Sequence, residues 1–578
     1  MSTAIAVARG AALATMAGVI TVAVTSVLDL AEVSTGLVFL IGVVAAGVAG
    51  STDRGQPGAE IAGAVGPGLV AIVAGSMTGF GSLDYSLIAG SLLAAVWVAT
   101  GEETPSNPSR WFAWGGFLVP LVVLILLPLV LDGETLGHDE SAYALKARQW
   151  LEGTPGTGWS AHRGIGMSLY GYVVLSLGGS EPGLRLIGLV GAMALVVGVW
   201  ALGRVMAGPV VGAMAGAAII AGPAVLHRST EYLSDVPAAA LLVLCMVVVW
   251  RQFGDRDQPG YGLLWALPLA WGAFYLRYQS ALSLALIGCV TLALWWPKVR
   301  ARPGPTIALA GLGLAGLIPH FAQATALTGS PLGILTTASS GAVRAYVGEG
   351  LVDFLEQSRW HLAGYIGPIA LVAAIIGVVI ARHDRDRRAG YWFLLAPAFG
   401  QVLALGLISH GEPRFLFFPI ALVVVAGAVT LQWAMVARRR WGRLVVWVSA
   451  MVLLGSLALS VDSARRAVAV RIVNNEPVEL ASVVVAGESA SAPCGALTSY
   501  SPQVTFYSGC ATMTFPTGVE PEEAVASVPG EVRFMVLVEN GKNQPTGPDL
   551  GAYLELTDGS PILVDGERRD ATVLRLAG

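Results

Sequence analysis

The feature that most constrains this chain is a succession of apolar runs, each long enough, or nearly long enough, to cross about 30 Å of hydrocarbon. Such runs predict membrane-spanning helices, because a helix satisfies its backbone hydrogen bonds internally. Four runs form an N-terminal block, near 10–29, 34–50, 60–80 and 83–100. Eleven more lie near 111–131, 184–203, 208–226, 231–250, 260–276, 278–296, 305–327, 362–381, 390–408, 413–436 and 443–462. The sequence therefore predicts a polytopic α-helical membrane protein with about 15 spans.

The composition agrees with a membrane protein and excludes other classes. Hydrophobic residues make up 55% of the 578 residues and charged residues only 12%, which argues against a set of soluble domains. The 34 basic and 38 acidic residues leave a net charge of -4, and no basic tract is longer than Arg438-Arg439-Arg440. This balance excludes nucleic-acid binding, so the expected partners are membrane lipids and small molecules.

The distribution of Lys and Arg predicts the orientation, because cytoplasmic loops retain positive charge. With the N-terminus inside, alternation of the spans leaves these residues in the cytoplasm: Arg9, Arg54, Arg110, Arg204, Arg251, Arg256, Lys298, Arg300, Arg302, Arg382, Arg385, Arg387, Arg388, Arg438, Arg439, Arg440 and Arg443. Counting the short apolar stretch 166–180 as a span would reverse this pattern, so we predict that it forms a helix in the outer interface. Loops 132–183 and 328–361 then face outward.

The predicted organisation has three parts. Residues 1–105 form a four-span N-terminal block, residues 106–464 form a membrane core, and residues 465–578 form an extracytoplasmic C-terminal domain. The last part changes composition, with short apolar runs separated by Gly, Pro, Asn and Asp, which is typical of a small α/β or β-rich domain.

Within the C-terminal domain, three runs are strand-like: Ser482–Ala486, Val532–Val538 and Ile562–Val564. Cys494 and Cys510 lie in the same domain and could pair if it faces an oxidising compartment. Such a bridge would close a short loop and add roughly 3 kcal/mol of stability.

Nine basic residues fall on the predicted outer side of the core, against the positive-inside bias. They are Lys146, Arg148, Arg163, Arg185, Arg228, Arg277, Arg344, Arg359 and Arg414. Any one of them is explained by snorkelling at a helix end or by contact with anionic headgroups. Their concentration on one face indicates a site for phosphate, which arginine binds through paired hydrogen bonds.

The first outer loop opens with His138-Asp139-Glu140 at the start of a predicted amphipathic helix that contains Tyr143. The two acids could simply cap the helix and complement its dipole. Alternatively, a carboxylate at the membrane surface could accept the proton of an attacking hydroxyl, and the position directly after a span favours this interpretation. The three adjacent residues point in different directions, so binding a metal would require ligands from elsewhere.

Two further clusters of ionisable residues lie at predicted outer ends of spans. His410, Glu412 and Arg414 share one turn, where such residues are costly unless paired or functional. They could form only a surface pair between Glu412 and Arg414, or they could be functional. The other cluster, 227–237, contains Arg228 and Asp235, and Asp235 could cap the following helix or take part in catalysis.

These motifs resemble the GT-C glycosyltransferases, and most closely the protein mannosyltransferase and aminoarabinose transferase group. The shared features are an outer loop opening with Asp139-Glu140, a Gly-x-Ser-Glu-like turn leading to Arg185, and Asp235-x-Pro237 at a span entrance. The stretch from about 111 to 462 carries the resemblance.

A second resemblance within the same superfamily concerns the turn at His410. The pattern His410-x-Glu412-x-Arg414-Phe415 with Pro419 is similar to the H-K-E-x-R-F signature of lipid-linked mannosyltransferases. Gly411 replaces the lysine of that signature, and Pro413 stands beside the acid.

The resemblance implies transfer of a hexose or pentose from a polyprenyl-phosphate-linked donor, with inversion, at the outer face of the plasma membrane. The acceptor would be an envelope glycan, a lipid or a protein. Asp139 corresponds to the general base and Glu140 to its supporting acid. Donor phosphate binding is implied for Lys146, Arg163, Arg228 and Arg414, with support from His138, Tyr143, Asp235, His410 and Glu412. No cofactor is implied with certainty, and a divalent metal stays open because only some GT-C enzymes use one.

Two other functions are consistent with many spans. One is a transporter or flippase for a lipid or a polyprenyl-phosphate sugar, and the other is a scaffold without catalysis that binds a partner in the cell envelope. The ionisable residues cluster at the outer rim and are few within the spans, which favours the enzyme over the transporter. The Asp139-Glu140 pair argues against the scaffold.

Overall fold

The computed structural model describes residues 108–131, 135–155, 163–334, 346–361, 366–409, 411–437, 439–489, 492–516 and 518–577. The predicted N-terminal block 1–105 and the site candidate His410 lie outside these residues.

The described membrane part is a bundle of helices joined by short connections. The helices are α1 (Pro108–Leu131), α2 (His138–Glu152), α3 (Ile165–Ser176), α4 (Glu181–Ala207), α5 (Pro209–Ile220), α6 (Pro223–Arg228), α7 (Asp235–Phe253), α8 (Ala266–Leu276), α9 (Ser280–Ala301), α10 (Gly304–Ala315), α11 (Ile318–Thr328), α12 (Glu349–His361), α13 (Ile366–Ala381), α14 (Arg385–Ile408), α15 (Phe417–Ala437) and α16 (Arg439–Ser489). Short 3-10 turns precede α8, at Tyr261–Trp265, and α15, at Pro413–Leu416.

Among the described residues, six helical segments are long and apolar enough to cross a membrane. They are Glu181–Ala207, Asp235–Phe253, Ser280–Ala301, Gly304–Thr328, Arg385–Ile408 and Pro413–Ala434. Other predicted spans correspond to shorter apolar helices such as Pro209–Ile220, and twelve residues extend only about 18 Å. The helical, multi-pass class agrees with the prediction, whereas the total of about 15 spans is not confirmed.

Glycines allow α4 to lie directly against the segment that leads into α7. A Cβ atom on Gly191 would lie 2.6 Å from Cγ of Pro237, and one on Gly188 would lie 2.4 Å from the carbonyl oxygen of Ser229. Any larger side chain would clash at these positions, and small residues permit such close packing between spans. The segment from Ser229 to Pro237 is therefore held against the helix that carries Arg185.

The long helix α16 corrects one sequence prediction. It contains 51 residues, and at about 1.5 Å per residue it extends roughly 76 Å, far more than a bilayer core. The predicted strand Ser482–Ala486 is wrong, because it lies inside this helix. Val478, Ala481 and Val485 are fully buried, and their spacing of three and four residues places them on one helix face. The division between core and C-terminal domain at 464/465 falls within α16 and stays a prediction.

The C-terminal domain is an α/β unit built on a five-stranded sheet. Its strands are β1 (Cys494–Leu497), β2 (Ala511–Met513), β3 (Val532–Val538), β4 (Thr557–Val564) and β5 (Ala571–Leu576), and its helices are α17 (Ser501–Ser508), α18 (Pro521–Ala526) and α19 (Gly547–Glu555). The strand order is β2-β1-β3-β5-β4. Strand β1 is parallel to β2 and β3, whereas β5 is antiparallel to β3 and β4. The predicted strand Val532–Val538 coincides with β3.

A disulfide bond joins Cys494, in β1, to Cys510, directly before β2. The two cysteines are 16 positions apart, and the loop between them contains α17. Both ends of α17 are thereby tied to the sheet, which matters because α17 contacts the start of α2.

Candidate active site

The first turn of α2 presents two adjacent carboxylates to different surroundings. Because successive residues of a helix are rotated by about 100°, the side chains of Asp139 and Glu140 diverge. The side chain of Asp139 is 33% exposed, whereas Glu140 is buried, with 3% exposed. The two acids therefore suit different roles, Asp139 facing possible substrates and Glu140 facing the protein.

Both carboxylate oxygens of Asp139 accept hydrogen bonds from arginines of distant loops. Arg163 Nη2 donates to Oδ1 at 2.7 Å, and Arg414 Nη1 donates to Oδ2 at 2.9 Å. Burial raises the pKa of Asp139, but the charges of Arg163 and Arg414 outweigh burial and hold the pKa well below its usual range. Asp139 is therefore a carboxylate at neutral pH, positioned between two cations.

Glu140 fixes the start of α2 to its neighbours. Its Oε2 accepts from the backbone N–H of Gly137 at 2.7 Å, and its Oε1 accepts from the backbone N–H of Tyr232 at 2.7 Å and from Arg185 Nε at 3.1 Å. Burial raises the pKa of Glu140, but the charges of Arg185 and Arg471 and the two backbone N–H groups lower it overall. The capping interpretation thus applies to Glu140, which also joins α2 to α4.

Ion pairs extend from Asp139 toward the start of α7. Arg414 also pairs with Glu412, and Arg277 pairs with Asp235, the first residue of α7. The guanidinium of Arg277 lies 5.0 Å from the ring centroid of Phe415. Arginines and acids from separate loops therefore form one continuous cluster at one end of the spans.

A small cavity lies beside this cluster and joins polar to apolar surroundings. Its polar wall contains Asp235, Arg277 and Arg414, and its apolar wall contains Phe417 and Phe418.

Arg228 belongs to a neighbouring group of charges centred on Glu231. Arg228 Nη1 lies 2.7 Å from Glu231 Oε2, and Arg471 Nη1 lies 3.5 Å from Glu231 Oε1. His227 Nε2 is 3.6 Å from the same carboxylate, and burial, opposed by the charge of Glu231, lowers the pKa of His227. Glu231 and Glu140 both interact with Arg471, so the two groups adjoin.

The remaining predicted residues of α2 have other contacts. Lys146 Nζ donates to Gln149 Oε1 at 2.8 Å and lies 5.7 Å from the ring centroid of Trp150. The ring of Tyr143 lies 5.3 Å from the guanidinium carbon of Arg163 and supports it. Burial lowers the pKa of His138, which is therefore neutral at pH 7.

The structure adds residues to which no sequence pattern assigned a specific role. Arg185 is completely buried against Glu140, Arg277 holds Asp235, and Arg471 reaches Glu231 from α16. The excess of basic residues on the outer side had indicated Arg185 and Arg277 only as members of a set. Arg471 lies beyond the predicted end of the core, so no signal connected it with the site.

Helix α17 of the C-terminal domain holds the loop that enters α2. The backbone N–H of Leu136 donates to Tyr507 Oη at 2.8 Å, and Gln503 Nε2 donates to the carbonyl oxygen of Leu136 at 2.9 Å. Leu136 precedes Gly137, whose N–H binds Glu140. The C-terminal domain therefore fixes the backbone directly before both carboxylates, a contact between residues 371 positions apart.

In the described part of the chain, no group of three or more His, Cys, Asp or Glu side chains could hold a metal ion. Asp139 and Glu140 both bind arginines of the protein. The described residues thus do not form the ligand set of the divalent metal that the sequence left open.

This arrangement supports two chemical tasks. Arg163 and Arg414 can bind an anionic oxygen, since arginine forms paired, charge-assisted hydrogen bonds with phosphate. Asp139 can accept a proton from a hydroxyl within hydrogen-bond reach.

Solved structures of other proteins share the fold of this chain, whereas sequence comparisons give no match. No family model and no curated protein sequence matches the chain. The crystal structure of ArnT from Cupriavidus metallidurans bound to undecaprenyl phosphate has a TM-score of 0.55 at 13% identity, covering 80% of this chain and 98% of ArnT. The apo state of ArnT gives 0.56 at 14%, covering 79% and 97%. The archaeal oligosaccharyltransferase AglB from Archaeoglobus fulgidus gives 0.47 at 11%, covering 74% and 70%. The similarity to ArnT confirms the GT-C-like fold, and at this identity it shows the fold alone.

Proposed function

We propose that this protein is an integral-membrane glycosyltransferase that transfers a sugar from a polyprenyl-phosphate-linked donor to an extracytoplasmic acceptor. The observation that carries the proposal is the Asp139 carboxylate held between Arg163 and Arg414 at one end of the spans. The fold is shared with ArnT, whose structure contains undecaprenyl phosphate, which supports a lipid-phosphate donor. The positive-inside distribution supports an outward-facing site, and the acceptor would be an envelope glycan, a lipid or a protein.

The donor would bind with its phosphate at the arginines and its polyprenyl chain toward the bilayer. Arg163 and Arg414 would contact the phosphate, while Arg228 and Arg277 would add positive charge. These cations also stabilise the negative charge that accumulates on the phosphate as it leaves.

The reaction is a single displacement. The hydroxyl oxygen of the acceptor forms a bond to the anomeric carbon while the bond from that carbon to the phosphate oxygen breaks. The phosphate keeps the bonding electron pair and leaves as polyprenyl phosphate, and the hydroxyl proton passes to the carboxylate of Asp139. Attack opposite to the leaving group inverts the anomeric centre.

Donor binding would change the basicity of Asp139. A carboxylate whose pKa is held low by two arginines is a weak base, because catalytic efficiency is best with a pKa near the working pH. A donor phosphate at Arg163 and Arg414 brings a negative charge to the carboxylate and draws the guanidinium groups away from it. Both effects raise the pKa of Asp139, so the base becomes effective only with donor in place.

The pH dependence of the rate tests this coupling. The acid limb of kcat/KM reports the free enzyme, and that of kcat reports the donor complex. Because the base acts when it is deprotonated, a low pKa in the free enzyme keeps kcat/KM constant to a low pH. We expect kcat to fall at a distinctly higher pH than kcat/KM. Both are measured between about pH 4 and 8, roughly the range in which carboxyl groups of proteins titrate. Acid limbs at the same pH would contradict the coupling.

Neutralising either arginine at Asp139 should weaken donor binding. For Arg163→Gln or Arg414→Gln we expect about a 10- to 100-fold increase in the donor Kd, as for the loss of one charge-assisted hydrogen bond. The matched control is Arg466→Gln, because the side chain of Arg466 is 74% exposed and pairs with Asp462 on the same helix, α16. Titration of each purified variant with polyprenyl phosphate gives its Kd. Equal Kd values for the three variants would contradict the phosphate site.

The contact from α17 should matter for turnover more than for donor binding. Tyr507→Phe removes the acceptor of the Leu136 N–H, an unmade hydrogen bond that costs about 1 to 3 kcal/mol. We expect kcat to fall about tenfold or more, with the donor KM little changed, since Tyr507 does not touch the arginines at Asp139. Tyr500→Phe in the same domain is the control, and an unchanged kcat for Tyr507→Phe would show that α17 does not position the acids.

Transfer and transport are separated with one preparation. The full chain is reconstituted in vesicles with a radiolabelled polyprenyl-phosphate sugar and envelope acceptor from membranes lacking this protein. If the protein is a glycosyltransferase, label appears in the acceptor together with released polyprenyl phosphate. Movement of intact donor across the bilayer without transfer would instead support a flippase.

A further inference from the structure

A large cavity opens at the ends of the spans opposite to the Asp139 cluster. Its volume is about 620 Å³, within the range of small-molecule sites. Helix α7 begins at Asp235 in the cluster and reaches the cavity at Trp250, a rise of about 22 Å. The cavity therefore lies near the opposite membrane surface, which the charge distribution predicts to be cytoplasmic, and it is separate from the proposed active site.

The rim of the cavity is positively charged. The charged residues in its lining are Lys298, Arg385, Asp386 and Arg387. Lys298 Nζ donates to the carbonyl oxygens of Phe253 and Arg256, both at 2.7 Å, and forms no ion pair with a described carboxylate. The lining carries three cations and one acid, and the adjacent acids Asp384 and Asp255 offset part of this charge.

Neighbouring acids neutralise only part of the cationic rim, because Arg385 forms no ion pair with a described carboxylate. Arg385 is exposed at the start of α14, and Arg387 pairs with Asp384 at 2.9 Å while its guanidinium carbon lies 4.8 Å from the ring centroid of Trp433. Cations grouped at a membrane surface attract phosphate headgroups.

The deeper walls are aromatic and apolar. Trp250 packs edge-on against Trp295 with ring centroids 5.9 Å apart, and Tyr391 packs in the same way against Trp433 at 5.4 Å. The Oε1 atom of Gln432 is buried in this wall and has no hydrogen-bond partner among the described residues. An acceptor without a donor is costly, so a ligand that brings a hydroxyl or ammonium group would satisfy it.

We propose that this cavity binds the headgroup of an anionic glycerophospholipid from the membrane leaflet opposite to the active site. The phosphate would lie at Lys298 and Arg385, a headgroup hydroxyl would donate to Gln432 Oε1, and the acyl chains would leave along the spans. A soluble phosphate shares the charge but offers nothing to the aromatic wall. The combination of cationic rim and apolar depth at a bilayer surface favours the lipid.

Native mass spectrometry of the detergent-solubilised full chain tests this site with phosphatidylglycerol as the probe. We expect one lipid bound per chain and about tenfold weaker binding for Arg385→Gln, consistent with the loss of one charge-assisted hydrogen bond. The exposed Arg388 lies on the same helix outside the lining, so Arg388→Gln is the matched control. Gln432→Leu is a second variant that keeps side-chain size and should also weaken binding.

Three results would overturn the proposal. They are equal retention of phosphatidylglycerol by wild type, Arg385→Gln and Gln432→Leu, displacement of the lipid by millimolar inorganic phosphate, and the absence of bound lipid in the folded wild type. Each variant is first shown to have the wild-type elution profile and unfolding temperature, so that weaker binding is not the result of misfolding.

Discussion

Replacing Asp139 with Asn should reduce sugar transfer by about 100- to 10,000-fold, the range expected for the loss of a general base. The variant keeps the size of the side chain and an oxygen that can accept from Arg163 or Arg414. It cannot take the proton of the acceptor hydroxyl. Donor binding should persist or strengthen, because the two arginines lose their internal carboxylate partner. Initial rates of transfer and the donor Kd, measured on the same preparation, check both expectations.

A matched substitution separates this effect from a general loss of charge. Asp462→Asn removes a carboxylate of α16 that pairs with Arg466 on an exposed surface, and we expect it to leave the rate within twofold, roughly as for a surface ion pair. If Asp139→Asn retained more than about a tenth of the wild-type rate, Asp139 would not be the general base.

Replacing Glu140 with Gln should destabilise the protein strongly. Arg185 is fully buried, and Glu140 is its carboxylate partner at 3.1 Å. Breaking a buried pair by removing one charge costs about 3 to 5 kcal/mol, because the other charge remains without compensation in the interior. We expect a clearly lower unfolding temperature and a low yield of folded protein, measured by thermal unfolding in detergent.

Two comparisons make the result specific to the buried pair. Glu152→Gln, in the same helix, removes the acid of the exposed pair with Arg148 and should cost no more than about 1 kcal/mol. Glu140→Gln combined with Arg185→Met removes both buried charges and should recover stability without restoring transfer. An unchanged unfolding temperature for Glu140→Gln alone would contradict the role of this pair.

The sequence predicted those parts of the fold that depend on local pattern. The apolar runs identified a helical membrane bundle, and alternation with turn residues identified β3 at Val532–Val538. The predicted strand Ser482–Ala486 was wrong. Its valines favour strands, whereas the buried side of α16 follows a helical period set by packing. The number of spans is not readable from hydropathy alone, since apolar helices such as α5 are too short to cross.

The candidate site was also predictable in part, where its residues stand out in the local sequence. Asp139, Arg163 and Arg414 were each recognisable as ionisable residues at the outer ends of apolar segments, and the structure brings them into direct contact. The partner of Glu140 could not be deduced, because Arg185 was one of nine similar basic residues. The contact of Tyr507 with Leu136 depends on how the C-terminal domain docks, which no local pattern encodes.

The most direct test of the proposed function is transfer of radiolabelled sugar from a panel of polyprenyl-phosphate sugars to envelope acceptors, with wild type and Asp139→Asn compared in matched membranes. We expect at least one donor to give labelled acceptor and an equal amount of released polyprenyl phosphate, and we expect this product to be lost with Asp139→Asn. Folded wild-type protein that gives no product from any donor, or product that persists undiminished in the variant, would contradict the proposed function.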